Sequence, residues 1–353
     1  MPTSTIHPAP SSSDTFTAVR SFALVVVVLW HWMFATIRWD ANGPHAGNPL
    51  HLVRGGFMLT WILQVMPLFF VVGGMASIGS FERHRSQGRR PQDWVHKRTK
   101  RLVLPVLPLV AAICVVKLFA SPWLFGLVLL AVSPLWFLAV YVPLTLLTPF
   151  LAWAHRRAPL HSLGLSVGIV IALQYVRFAM NLGGLSICLA SFVAVWGTVF
   201  QLGFFASRCV ASRRMSIAAA SAGLLGLAAG PISGYSLSMV TTVHDVRSNM
   251  GPPTIQVIFL ALLQIGLLGL NWRRITQLTN RRRVRAAARW IDARQMTIYA
   301  SHLPIWVAVL AALRTTPLAL PNTATAGWIL ARPVWLVVPG FLLYTLAGRR
   351  STR

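Results

Sequence analysis

Acidic residues are the scarcest feature of this sequence. Six Asp and Glu stand against 32 Lys and Arg in 353 residues, and only 11% of the chain is charged. Soluble domains carry about 25% charge, and 56% of this chain is hydrophobic, so a water-soluble fold is excluded. None of the long apolar runs contains an acid, which argues against ion coupling through intramembrane carboxylates. Cysteine is also rare. Cys114, Cys188 and Cys209 lack metal or redox spacing, so no disulfide framework or zinc site is expected. A Ser-His-Asp arrangement, a phosphate-cradling glycine loop and a clear internal repeat are missing as well. Residues 1–16 hold no Lys or Arg. The positive start of a secretory signal is therefore absent, and the first apolar run is expected to stay as a span.

What remains is apolar. Ten runs approach the ~20 residues that cross a hydrocarbon core. They lie near 17–37, 57–80, 102–120, 134–154, 162–180, 184–206, 215–235, 254–272, 294–313 and 325–347. The expected fold is an all-α polytopic membrane protein with about ten transmembrane helices. Residues 1–16 form a flexible tail, 17–347 the membrane domain and 348–353 a short C-terminal tail. Of the 32 Lys and Arg, 24 fall in segments on one side of this topology and seven on or near the other, with Arg20 apart. Cationic loops gather in the cytoplasm, so both termini are expected there. The net charge of +26 is thus a topology signal, and nucleic acid is not an expected partner. Segment 121–133 is apolar but short. A complete crossing would invert every later loop and erase the charge bias, so it is expected to re-enter or lie at the outer interface.

Within the first span, Arg20 and His31 bracket ten residues that are apolar except for Ser21. Eleven residues make about three turns and rise about 16 Å, which puts both polar groups on one helix face. Arg20 alone reads equally as an interfacial anchor whose stem snorkels. His31 alone reads equally as a hydrogen-bonded interior histidine. Together they suit a ligand that enters lengthwise, its anionic end at Arg20 and its reactive end at His31, because intramembrane ionisable groups mark functional paths.

The same residues carry a family resemblance. Arg20 and His31 match the Arg-x10-His pattern in the first span of the acyltransferase-3 family of integral membrane acyltransferases. MPLFFVVGGMAS (66–77), RTKRLVLPVLP (98–108), SPLWFLAVYVPL (133–144) and MTIYASHLPIW (296–306) resemble later family segments in the same order. The chain departs from the pattern in places. An acid shortly before the arginine is absent, Asp14 being the nearest; Ser21 follows Arg20 where Gly or Ala is usual; and Gly73 replaces a serine.

The resemblance implies transfer of an acyl group, commonly acetyl, from cytoplasmic acyl-CoA to a hydroxyl on a carbohydrate or related acceptor. It identifies His31 as the general base, with an acyl-histidine intermediate as the alternative. Arg20, Arg98 and Arg101 are expected at the CoA phosphates, and Gly73 and Gly74 at the pantetheine chain or in helix packing. His302, in the ninth span near the cytoplasmic side, is expected to contact substrate or orient a catalytic group, or else to pack. His244 and Arg247, with Asp245 and Asn249, lie in the longest polar loop, 236–253, as acceptor contacts or solvated residues. Expected partners are the lipid bilayer and a carbohydrate, glycolipid or small-molecule hydroxyl, in a bacterial cytoplasmic membrane. No metal is expected. The competing class is a non-catalytic transporter or flippase for an anionic or glycan-type substrate.

Overall fold

The computed structural model describes residues 12–40, 43–47, 55–119, 122–240, 249–316, 332–333 and 335–349. Among the described residues the chain is all-α apart from one hairpin. Helix α1 (Ser12–Phe34) leads into strands β1 (Thr36–Asp40) and β2 (Gly43–Gly47), which pair antiparallel with Ile37 opposite Ala46. Then follow α2 (Phe57–Leu63), α3 (Met66–Ser86), α4 (Pro91–Val103), α5 (Leu107–Phe119), α6 (Pro122–Val132), α7 (Leu135–Arg157), α8 (Pro159–Phe178) and α9 (Leu185–Leu202). Helices α10 (Ala206–Ala211), α11 (Arg213–Ile232), α12 (Ile255–Leu270), α13 (Trp272–Asn280), α14 (Arg282–Leu313) and α15 (Val337–Arg349) complete the order.

Among the described residues, eight helical segments are long and apolar enough to cross a membrane, or nine if the bent pair α12–α13 counts as one. The tenth expected span is represented by α15, and residues 317–331 lie outside the described residues. Local chemistry sets several boundaries. Proline occupies the first turn of α3, α4 and α8, where a missing N–H costs nothing. Ser212 and Thr254 cap α11 and α12 by accepting the N–H of Met215 and Gln256.

The second span breaks at Gln64 and Val65, between α2 and α3. A backbone carbonyl freed inside hydrocarbon needs a partner, and Gln264 Nε2 donates to Gln64 O at 2.7 Å. Helix α6 has 11 residues, about 16 Å of rise, and is too short to cross. It packs on the hairpin and on α14. The alternation of spans therefore brings the basic segments to one end of the bundle, called the basic end below. There Arg289 pairs with Asp14 at 3.4 Å, and Arg156 pairs with Glu82.

Two expected boundaries move. The basic stretch before the third span folds as α4, running through a 3-10 turn at Leu104–Val106 into α5. The ninth span starts at Arg282, not 294, and α14 is 32 residues long. Arg and Ala are strong helix formers and continue a helix into water beyond the membrane.

The core lies where α1, α3, α7, α9, α12 and α14 converge. Phe70 stacks on Trp196 with ring centroids 4.4 Å apart, and both are fully buried, as is Trp306. Helix α5 exposes leucines and valines, and α8 leucines and isoleucines, along their length, a surface suited to lipid. Helices α3 and α9 meet at backbone distance. A Cβ on Gly74 would stand 1.9 Å from Phe200 O, and one on Gly203 would stand 2.1 Å from Val71 O. Small residues permit this close approach.

Candidate active site

Helix α1 supplies both ends of the site, and α14 packs along it. The two helices are joined by side-chain bonds at several levels. Near the basic end Arg20 is ion-paired with Asp292, and Ser21 Oγ donates to Ala288 O at 2.9 Å. Deeper in the bundle, His31 Nδ1 lies 3.0 Å from His302 Nε2. Trp32 Nε1 donates to His302 O at 2.9 Å, and Trp306 Nε1 donates to Ala35 O at 3.3 Å. His302 Nδ1 lies 2.7 Å from Tyr299 O. Buried Arg332 sits close by, its guanidinium 5.4 Å from the Trp306 ring and 3.4 Å from Trp32 O.

Two of the cavities along α1 hold residues singled out in the sequence. The first, about 270 Å³, is lined by Arg20, Arg83, Arg98 and Arg101, with Asp292, Gly73 and Tyr141 among its other walls. Four guanidinium groups face one carboxylate, so the cavity suits an anion, and arginine gives paired hydrogen bonds to phosphate. The Nε atoms of Arg20 and Arg98 are buried without a hydrogen-bond partner. Arg98 is held by the Trp94 ring, 5.5 Å from its guanidinium carbon.

The second cavity, about 280 Å³, is lined by His31, Trp30, Trp136, Phe192, Gln64 and the Met250–Gly251 backbone region, among others. Among the described residues, none that lines it is Asp, Glu, Lys or Arg. Phe137 and Tyr299 line both cavities and form the wall between them. Their rings meet edge to face at 5.6 Å, and Tyr299 OH donates to Pro134 O. The geometry offers an anion cradle and an imidazole, separated by two aromatic rings.

The structure sorts the residues singled out in the sequence. Arg20, Arg98, Arg101 and Gly73 share the first cavity, and His31 lines the second. A Cβ on Gly73 would stand 2.7 Å from Tyr141 OH, so this glycine keeps space at the cavity wall. Gly74 faces the α9 backbone instead. His302 lines neither cavity and is fully buried. Its expected place near the basic end is corrected, because His302 lies about 30 Å along α14 and pairs with His31 in the last turn of α1. His244, Asp245 and Arg247 lie outside the described residues. Asn249 is buried and bound within its own loop, donating to Ser236 O and Ser238 O and accepting from Thr254.

Sequence reasoning missed Asp292, Arg83, Gln64, Phe137 and Tyr299. Asp292 had a signal, being one of only six acids, but it sat in a basic stretch read as a loop. Tyr299 sits in the quoted MTIYASHLPIW segment three residues before His302.

A family model described as an acyltransferase domain matches residues 14–348, nearly the whole chain. No curated protein and no solved structure matches it.

Proposed function

The chain belongs to the acyltransferase-3 family of multi-pass membrane acyltransferases, and we propose that it moves an acyl group, acetyl in the first instance, from acyl-CoA to a hydroxyl. The observation that carries this reading is the pair of cavities placed end to end on α1 and divided by Phe137 and Tyr299. Phosphates of the donor bind Arg20 and Arg98, with Arg101 at the rim. A cavity of about 270 Å³ is smaller than most pockets that enclose a whole ligand, which run about 300–1,000 Å³. It suits the slender pantetheine arm, with the nucleotide left at the basic end. The arm directs its thioester past Phe137 and Tyr299 towards His31.

The acceptor occupies the second cavity. A hydroxyl is a weak nucleophile at neutral pH and needs a base within hydrogen-bond reach. His31 takes its proton as the oxygen attacks the thioester carbonyl. The C–S bond then breaks, the ester forms, and the proton passes to the departing thiolate. Trp30 and Trp136 in its lining support a sugar ring as acceptor, since indole faces offer it apolar contact area. The basic end faces the cytoplasm, where acyl-CoA is made, in a bacterial cytoplasmic membrane. Acceptors are then carbohydrate groups of the cell envelope.

The test is turnover by the purified protein in lipid vesicles, with labelled acetyl-CoA and envelope glycans as acceptors. Release of CoA thiol matched by label in the glycan is the expected result. Movement of the glycan across the bilayer unchanged, with the thioester intact, would instead assign a transporter.

A further inference from the structure

We infer that His302 is a positioning residue, which holds His31 in the Nδ1–H tautomer and so presents Nε2 to the second cavity as the proton acceptor. The inference rests on the assignment of His31 as base and explains how that base is prepared.

The protons follow from the partners. Tyr299 O has only lone pairs to offer, and His302 Nδ1 lies 2.7 Å from it, so Nδ1 carries a hydrogen. A neutral imidazole has one N–H, which leaves His302 Nε2 as an acceptor. His31 Nδ1 lies 3.0 Å from that atom and must donate to it. A neutral His31 then has its lone pair on Nε2, and His31 lines the second cavity. The opposite tautomer, the commoner one in water, would aim the lone pair at His302 and place an N–H where the base is needed. It would also leave two acceptors facing each other.

A doubly protonated His302 would reverse this order, but its surroundings oppose it. The ring is fully buried, its polar partners among the described residues are His31 and backbone carbonyl groups, and Arg332 lies on the neighbouring Trp306. A buried cation without a carboxylate is strongly disfavoured. The surroundings of His302 are themselves fixed, because its carbonyl accepts Trp32 Nε1 at 2.9 Å. Both helices are therefore locked at the level of the two rings.

This arrangement answers what orients the imidazole in a chain so poor in acids. The hydrogen bond on one ring nitrogen decides which tautomer a histidine adopts, and a neutral acceptor suffices. When His31 takes the acceptor's proton on Nε2, its Nδ1–H still points at His302 Nε2, which stabilises the cation. His302 Nδ1 remains bound to a carbonyl that cannot take its proton, so the proton stays with the pair until it leaves with the thiolate.

The experiment compares wild type, His302→Leu and His302→Gln in lipid, by steady-state kinetics and by nitrogen NMR of 15N-histidine-labelled protein. His31 signals are identified by their loss in His31→Ala. Wild type is expected to show His31 with Nδ1 protonated and Nε2 bare. His302→Leu should lose that tautomer and lower kcat by about 10–100-fold, the loss typical when the hydrogen-bond partner that orients a metal-binding histidine is removed. The KM for acetyl-CoA, set at the arginine cavity, should stay within about twofold. His302→Gln keeps an acceptor and should restore the tautomer and most of kcat. Wild-type kcat in His302→Leu would overturn the inference, as would equal losses in both variants with His31 unchanged in tautomer. If His302→Leu does not fold, the wild-type spectrum still decides, because His31 with Nε2 protonated contradicts the assignment. Full transfer by His31→Ala is a separate outcome, which removes the base itself and not only its positioning.

Discussion

Replacing His31 by alanine is expected to lower acyl transfer by about 10²–10⁴-fold, the range that positioned proton transfer contributes. Acetyl-CoA binding should change by less than about twofold, because the four arginines line the other cavity. His31→Gln should fare little better. An amide fills part of the space and makes hydrogen bonds, but it does not accept a proton at neutral pH. The two quantities need parallel measurement, initial rate by thiol release and affinity by equilibrium binding. A variant that binds donor normally and transfers at the wild-type rate would remove the imidazole from the chemistry. Loss of both binding and rate would point to a general disturbance of α1.

Charge removal in the first cavity should give the opposite pattern. Arg98→Ala is expected to weaken acetyl-CoA binding by about 10–100-fold, because a hydrogen bond to a charged group contributes about 1.5–3 kcal/mol and each 1.36 kcal/mol is a factor of ten. Arg98→Lys should recover only part of this, since an ammonium lacks the planar fork that pairs with phosphate. Arg20→Ala should cost at least as much. It deletes a cation and leaves Asp292, its partner, facing the bound anion. Asp292→Asn removes that negative charge, so donor affinity should be held or rise. Binding measured across all four variants separates the cases. Equal affinity in wild type and in both alanine variants would contradict the assignment of this cavity to the donor.

The spans were legible because their signal is simple, with ~20 apolar residues bounded by charge. Their ends at the basic face were not, because helix propensity carries α4 and α14 past the membrane boundary in sequences that read as polar loops. Two features of the site were hidden. Asp292 looked like a loop residue although it lies on α14 beside Arg20. His302 looked shallow although it reaches the level of His31. Neither contact follows from one sequence, since both depend on how α1 and α14 align in register. Gly73 and Gly74 show a finer limit. Adjacent residues on a helix point about 100° apart, so one borders the cavity and the other meets the α9 backbone. The Arg20–His31 spacing correctly marked a single helix carrying both groups. The aromatic wall that separates them came from α7 and α14, beyond the reach of spacing within α1.

The most direct test of the account is the sidedness of the reaction. Protein would be placed in sealed vesicles with acetyl-CoA available only at the basic end and an impermeant glycan acceptor only at the opposite end. The account predicts that labelled acetyl appears on the glycan while CoA thiol accumulates at the basic end. Transfer only when donor and acceptor share one side would contradict the two-cavity path through the membrane.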